Sequence, residues 1–259
     1  MKILLSVLRI TLLLGMIGMA IFWFYPNQSR TVSNAIIWKI QQIMTKKSVS
    51  EVLADIGTES KERLLPWFEK ANVAYPPQHL ALLGFKAEKR LELWAKTQTQ
   101  TQTGATWIQI RSYPILAASG VANPKLREGD YQVPEGIYRL SFLNPNSLYH
   151  LSMQINYPND YDRRKAAEEQ RTDLGGEIFI HGKDVSIGCL AIGDEAIEEL
   201  FVLVATIGLD KVTVILAPQQ DMQMVELSVP VRPWIPELYA NIRQVLESIR
   251  NPRTQLITK

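Results

Sequence analysis

The sequence predicts an α+β fold, in which a β-rich domain with packed helices follows an N-terminal apolar segment. Three observations carry this expectation. Apolar residues recur at helical spacing as far as Asn72, the pattern changes to strand alternation after Tyr75-Pro76-Pro77, and a strand, a glycine-marked turn and a helix succeed one another between Gly175 and Phe201. With 259 residues, 46% of them hydrophobic, the chain can bury one substantial core. The expected organisation is a membrane segment over residues 1–27, a helical juxtamembrane region over 28–76, the β-rich domain over 77–235, and a C-terminal helix and tail over 236–259.

Lys2 and Arg9 precede an apolar run that ends in Trp23, Phe24 and Tyr25. This is the pattern of an export signal, and residues 3–25 are long enough to span a bilayer if Arg9 snorkels at one boundary. No small-residue cleavage site precedes Pro26-Asn27, so retention as an anchor is expected, with Trp23 and Tyr25 at the outer interface. The alternative is a cleaved signal; either way the rest of the chain is exported. Val32, Ala35, Ile36, Ile37, Ile40 and Ile43 then predict an amphipathic helix to Lys47. Ser48 and Glu51 have capping-box spacing for a second helix stopping at Gly57. A third is expected from Glu59 to Asn72, with Pro66 tolerated near its start or bending it. These helices are read as a spacer or a cover for the domain.

Leu80–Phe85 and Arg90–Ala95 read as a hairpin, LLGFKAEKRLELW. The alternating Thr/Gln stretch Thr97–Gly104 is expected to be a loose hairpin tip. Strands follow at Trp107–Pro114 and Ile115–Ser119, then a glycine-bearing loop, SGVANPKLREGD, and YQVPEGIYRL leading into another strand. Tyr149–Tyr157 alternates as a half-buried strand and ends at Pro158-Asn159. Asp160–Asp173 is a charged run, either a solvated helix or the carrier of an arginine that grips a peptide carboxylate. After the Gly175–Phe201 stretch come a helix capped by Asp194 and closed by Gly208, strands at Lys211–Ala217 and Met224–Val229, and a final helix from Pro236 to Arg250.

The chemistry concentrates in GGEIFIHGKDVSIGCLAIGDEAIEELF, which holds the sole cysteine. A thiol becomes an effective nucleophile when a neighbouring imidazole takes its proton. Cys189 is therefore the candidate nucleophile and His181, at a strand end before Gly182, the candidate base. Gly182 is expected to permit the turn after the histidine, and Gly188 to let substrate approach the backbone N–H groups of Gly188 and Cys189 as an oxyanion site. Ser186, a far weaker nucleophile than a thiolate, is given an orienting role. His79 follows residues of a proline turn and His150 lies in an alternating strand, where a structural role is expected.

These residues resemble the active-site motif of the L,D-transpeptidase (YkuD-like) family, in which a His-Gly pair is followed by Ser-x-Gly-Cys. Ile187 stands where most members carry a second histidine, and the IHG…SxGC form resembles the YafK-like branch of Gram-negative envelope proteins. The hairpin at Leu82–Trp94, Gly129-Asp130, the Pro134-x-Gly136-x-Tyr138 run and Tyr157-Pro158-Asn159 extend the resemblance over roughly Val73 to Tyr239. It implies a mostly antiparallel, β-sandwich-like core carrying a catalytic loop. It further implies a cysteine acyltransferase or amidase acting on meso-diaminopimelate stem-peptide amides of peptidoglycan through a thioester. The partners implied are peptidoglycan stem peptides, a peptidoglycan-linked lipoprotein, and the inner membrane through residues 3–25, with the domain on the periplasmic side. Tyr157, Arg163 and Arg164 are the candidate substrate-binding residues.

A formal charge of +2 with both signs interspersed gives no nucleic-acid footprint. Three scattered histidines and one cysteine offer no metal-ligand spacing, and no cofactor is expected. Cross-linking, lipoprotein attachment and hydrolytic release share this machinery, so the sequence leaves them open. Two other classes also stay open: an inactive peptidoglycan-binding anchor, and a membrane-tethered structural partner working through its N-terminal helices.

Overall fold

In the computed structural model, residues 46–97, 106–226 and 231–250 are described. The apolar segment, the helix expected from Val32, most of the Thr/Gln stretch and the tail from Asn251 lie outside them. Among the described residues no helix is long and apolar enough to cross a membrane. Helix α1 runs unbroken from Val49 to Lys70. Its start is the expected capping box, with Ser48 Oγ accepting from Glu51 N and the Glu51 carboxylate accepting from Ser48 N. Gly57 does not stop it, and Pro66 lies inside it. Two expected helices are therefore one. Burial of Val52, Leu64 and Phe68, each worth about 2 kcal/mol, outweighs the roughly 1 kcal/mol cost of Gly57 and the roughly 3 kcal/mol cost of Pro66.

The strands are β1 Leu80–Phe85, β2 Arg90–Lys96, β3 Trp107–Pro114, β4 Ala117–Ala118, β5 Gly136–Ser147, β6 His150–Ile155, β7 Phe179–His181, β8 Leu190–Ala191 and β9 Val212–Ala217. They form one sheet in the order β3-β2-β1-β9-β5-β6-β7-β8-β4. Pairing is antiparallel except at β1–β9 and β7–β8, so the sheet is mixed, although most of its ladders are antiparallel as expected. Its ladder is also continuous. Strand β5 makes it so: Gly136–Arg139 pair with β9, and the residues from Leu140 onward pair with β6, with a register shift between Leu140 and Phe142. Such a shift bends a strand and lets it serve two halves of a sheet.

Helices α2 Asp160–Glu168, α3 Asp194–Ile207 and α4 Ile235–Arg250 complete the fold. Strand β1 is buried at every position, which explains its unbroken apolar run LALLGF. Leu80 and Leu82 join the cluster that includes Leu64, Phe68, Leu200 and Phe201; Ala81, Leu83 and Phe85 join that of Leu238, Ile242 and Leu246. The sheet is thus covered by α1 and α3 on one side and by α4 on the other. The compact unit begins at Ser48, so α1 is part of it.

Two local expectations are corrected. Met224–Glu226 form no strand: Asp221 accepts from Gln223 N through its carboxylate and from Met224 N through its carbonyl, so a turn takes the backbone groups a ladder would need. Asp194 does not cap α3, because Gly193 holds the cap position and Asp194 begins the helix.

The 120–135 loop is fastened by a buried ion pair. Lys86 Nζ donates to Glu135 Oε1 at 2.9 Å and also to the carbonyls of Val121 and Val133. Glu135 in turn accepts from Asn123 N at 3.0 Å and from the Tyr239 hydroxyl of α4 at 2.5 Å. Removing one member strands a buried charge, which typically costs more than the pair contributes. Lys86→Ala is expected to destabilise the protein by about 3 kcal/mol in chemical denaturation, and Lys86→Met with Glu135→Leu by less than that single change. A double variant worse than Lys86→Ala would show that the pair itself, rather than the orphaned charge, sets the cost.

Candidate active site

Parallel pairing of β7 and β8 sets Ile180 beside Leu190 and His181 beside Ala191. One step back in that register Phe179 meets Cys189, and its N–H donates to Cys189 Sγ at 3.4 Å. The thiol donates weakly to Glu177 O at 3.8 Å. His181 lies two residues beyond Phe179, on the same face of its strand. The predicted pair is thus brought to adjoining strands as diagonal neighbours. The sulfur's hydrogen-bond partners, however, are Phe179 and Glu177 rather than the imidazole.

His181 is held from two sides. Its Nδ1 lies 2.6 Å from Gly182 O; a carbonyl only accepts, so the proton sits on Nδ1 and the Nε2 lone pair is left for a proton acceptor's role. The Tyr149 ring packs on the imidazole with centroids 4.6 Å apart. Tyr149 sits at the tip between β5 and β6, and the next residue, His150, is fixed by Glu198 Oε1 of α3 at 2.7 Å. Gly182 is required for space rather than for an unusual turn. A Cβ there would meet Tyr149 O at 2.7 Å and Asp194 Oδ1 at 2.6 Å. The positive φ falls on the next residue, Lys183, whose N–H and ammonium both donate to Asp194. Asp194 therefore fastens the loop after the His-Gly pair.

The loop before the thiol is braced by hydroxyls. Ser186 Oγ accepts from Cys189 N at 2.9 Å and donates to Cys189 O at 2.7 Å. Gly188, at φ +90°, donates its N–H to Ser119 Oγ at 2.6 Å. Both N–H groups expected to face an oxyanion are thus engaged in the resting site. Ser119 was not readable as a site residue, since 69 positions separate it from Gly188 and no spacing rule joins them. Lys125 and Tyr149 were also missed. The first is a buried lysine in the glycine-bearing loop, the second an aromatic at a hairpin tip, and neither has a sequence signature.

Burial pushes the Cys189 thiol above its ordinary value, against the opposing pull of the Phe179 N–H and the Lys125 charge. Burial likewise lowers His181, opposed by its bond to Gly182. Both shifts favour the uncharged forms, a thiol and a neutral imidazole, in the resting site.

The candidate substrate residues have partners of their own. Tyr157 is buried, its hydroxyl donating to Leu174 O at 3.2 Å and more weakly to Lys125 O. Burial raises its phenol far above the usual range. Arg163 and Arg164 are exposed on α2, the first bonded to Pro158 O and the second over the Tyr161 ring at 5.9 Å. Among the described residues no group of three His, Cys, Asp or Glu side chains converges as metal ligands.

The parallel β7–β8 pair carries His181 at the end of one strand and Cys189 just before the other, and residues 85–215 match the YkuD family, the L,D-transpeptidase catalytic domain. The chain belongs to that family. It is 39% identical over 119 residues to "Putative L,D-transpeptidase YafK" of Escherichia coli (strain K12), covering 45% of this chain and 44% of the relative. The chain thus matches less than half the length of that relative. Among solved structures, the helical cell shape determining protein Pgp2 of Campylobacter jejuni aligns with TM-score 0.43 and 16% identity over 71% of this chain and 77% of that one. Bd1075 of Bdellovibrio bacteriovorus aligns with TM-score 0.38 and 21% identity over 68% and 58%.

Two expectations follow from the geometry. Because only the thiolate reacts and burial pushes the thiol above its ordinary value, alkylation of Cys189 by iodoacetamide should rise about tenfold per pH unit from pH 7 to 8. Labelling that is flat from pH 6 to 8 would instead reveal a preformed ion pair. Gly182→Ala should displace Tyr149 from the imidazole and lower thiol-dependent turnover at least about tenfold, with the melting temperature falling by only a few degrees. Unchanged turnover would mean that the close backbone approach has no bearing on the histidine.

Proposed function

We propose that this protein is a peptidoglycan-modifying cysteine acyltransferase or amidase, with Cys189 as nucleophile and His181 as base. The observation that carries this reading is the placement of His181 at the end of β7 and of Cys189 just before the neighbouring β8, with the His181 proton held on Nδ1 so that Nε2 can receive another. In the proposed reaction, Nε2 takes the thiol proton as the sulfur attacks an amide carbonyl at meso-diaminopimelate in a stem peptide. The tetrahedral intermediate collapses, the C–N bond breaks, and the imidazolium returns the proton to the departing amine. A thioester remains on Cys189. An incoming amine or water loses its proton to His181, attacks the thioester carbonyl and releases the thiol.

The oxyanion needs donors that the resting site has already committed. The N–H groups of Gly188 and Cys189 fit this role if the bound carbonyl displaces the Ser119 and Ser186 oxygens, which the short Ser-x-Gly-Cys loop makes a local adjustment. Burial raises the thiol and lowers the imidazole, which supports a proton transfer that accompanies attack. The family membership supports the reaction class, and the relative's name supports the transpeptidase type. We place the domain on the periplasmic side of the inner membrane, tethered through residues 3–25, on the strength of the apolar run and its flanking charges.

One reading competes. Ile187, exposed where a second histidine is usual, and a sulfur not bonded to the imidazole favour an inactive module that only binds peptidoglycan. Mass spectrometry of purified sacculi, with and without bound lipoprotein, separates the two after incubation with the protein and with its Cys189→Ala form. Cysteine-dependent release of lipoprotein is the expected result for an amidase, and new diaminopimelate-linked cross-links for a transpeptidase. Retained binding with no cysteine-dependent product on either substrate would establish the inactive module.

A further inference from the structure

A cavity of about 540 Å³ lies between the 123–132 loop and the 170–173 segment, with Arg232 and Ile235 on its remaining side. Its size is that of a small-ligand site. Both of its walls run into the thiol loop. The first ends at Gln132, whose carbonyl would lie 3.9 Å from a Cβ on Gly188. The second continues through Gly175, which packs on Glu128, to Glu177 and Phe179, the two partners of the Cys189 sulfur. The cavity also neighbours the sulfur through Lys125, whose charge acts on Cys189 and which binds Asp130 of the lining.

The lining is cationic. Arg127, Arg171 and Arg232 line it together with Asp130 and Asp173. Asp130 is already neutralised: it accepts from Lys125 Nζ at 2.7 Å and from the N–H groups of Leu126, Arg127 and Gln132, which hold its carboxyl below the ordinary range despite partial burial. Arg171 and Arg232 share one acid, Glu169, at 2.7 and 2.8 Å. Arg127 is exposed, and among the described residues its guanidinium has no ion-pair partner. Even with Asp173 on the opposite wall, the cavity keeps an excess of positive charge. Arg163 and Arg164, the arginines first suspected of binding substrate, do not line it.

We infer that this cavity receives a free carboxylate of the stem peptide, with Arg127 as the group that binds it and Arg171 and Arg232 supplying the surrounding field. The inference rests on the proposed peptidoglycan reading for the choice of ligand. A guanidinium matches a carboxylate in a planar, two-point contact, whereas an amide in the same place offers one acceptor and no charge. The cavity would thus select stems by their ionised end and set the distance from that end to the scissile amide.

The test uses the full chain carrying Cys189→Ala, so that no bond is made, and a fluorescently labelled diaminopimelate-containing tetrapeptide in its free-acid and fully amidated forms. Fluorescence anisotropy should show the acid binding at least about tenfold more tightly than the amide. Arg127→Gln should abolish that preference and Arg127→Lys retain part of it; since Arg127 is exposed and unpaired, both variants should melt with the parent. No measurable binding of the acid, equal binding of acid and amide, or a preference that survives Arg127→Gln would overturn the inference. Its failure is separable from that of the catalytic reading. Cysteine-dependent turnover of sacculi without a carboxylate preference removes the cavity's role alone, and a preserved preference without turnover removes the chemistry alone.

Discussion

The Lys86–Glu135 ion pair is the constraint on which the site depends, because it joins elements that would otherwise have no reason to stay together. Lys86 extends from the end of the most buried strand, and Glu135 stands at the start of the long strand that links the two halves of the sheet. Between them in sequence run Ser119, Lys125, Arg127 and Gln132, which supply a brace for Gly188, a charge near the sulfur and a wall of the adjacent cavity. None of this loop is in regular structure apart from the short β4 before it, so its backbone groups need side-chain partners. Lys86 takes two carbonyls in that loop at close range, and Glu135 takes one N–H. The hydroxyl of Tyr239 closes the arrangement from α4, which is how a C-terminal helix remote from the thiol still bears on its surroundings.

Burial favours the uncharged forms in the resting site. Charges are costly in a low-dielectric site unless paired, and neither the thiol nor the imidazole has an opposite charge in direct contact. The one nearby cation, Lys125, is itself tied to Asp130, which blunts its field at the sulfur. What the site supplies instead is preorganisation. The imidazole has its tautomer set by Gly182 and its tilt by Tyr149, and the thiol loop is closed on itself by a single serine that both accepts from and donates to the cysteine backbone. Such geometry lowers the barrier by removing motions that would otherwise accompany reaction, without requiring a standing ion pair.

How much of this was legible follows from the range of each interaction. The capping box at Ser48, the β1–β2 hairpin and the break at Tyr75-Pro76-Pro77 are local, and periodicity read them closely. Family resemblance supplied the His181–Cys189 pair, only eight positions apart in the chain. Gly57 was misread because its stop signal is local whereas the burial of Leu64 and Phe68 against α3 is not. The parallel β1–β9 pairing joins Leu80 to Val212 and has no signature in either segment. The arginines illustrate the same limit: Arg163, Arg164 and Arg171 are equivalent in composition, and only the fold turns the last toward a cavity while leaving the others on the outer face of α2.

A second set of buried carboxylates extends this reasoning to the N-terminal helix. Glu199 of α3 is buried and takes Arg111 at 2.7 Å, the Tyr113 hydroxyl at 2.8 Å and, more loosely, Arg63 of α1. Its neighbour Glu198 takes Arg63 at 2.6 Å through one oxygen and His150 at 2.7 Å through the other. His150 follows the tyrosine that packs on His181. A chain of charged contacts therefore leads from α1, through two adjacent residues of α3, to the hairpin tip that packs on the His181 imidazole. The helical pattern of α1 suggests a spacer or a cover for the domain, and its contacts with α3 agree with the second. Loss of α1 would leave Glu198 and the buried Glu199 short of a cation, and such a deficit at a buried acid is among the costlier defects a fold can carry.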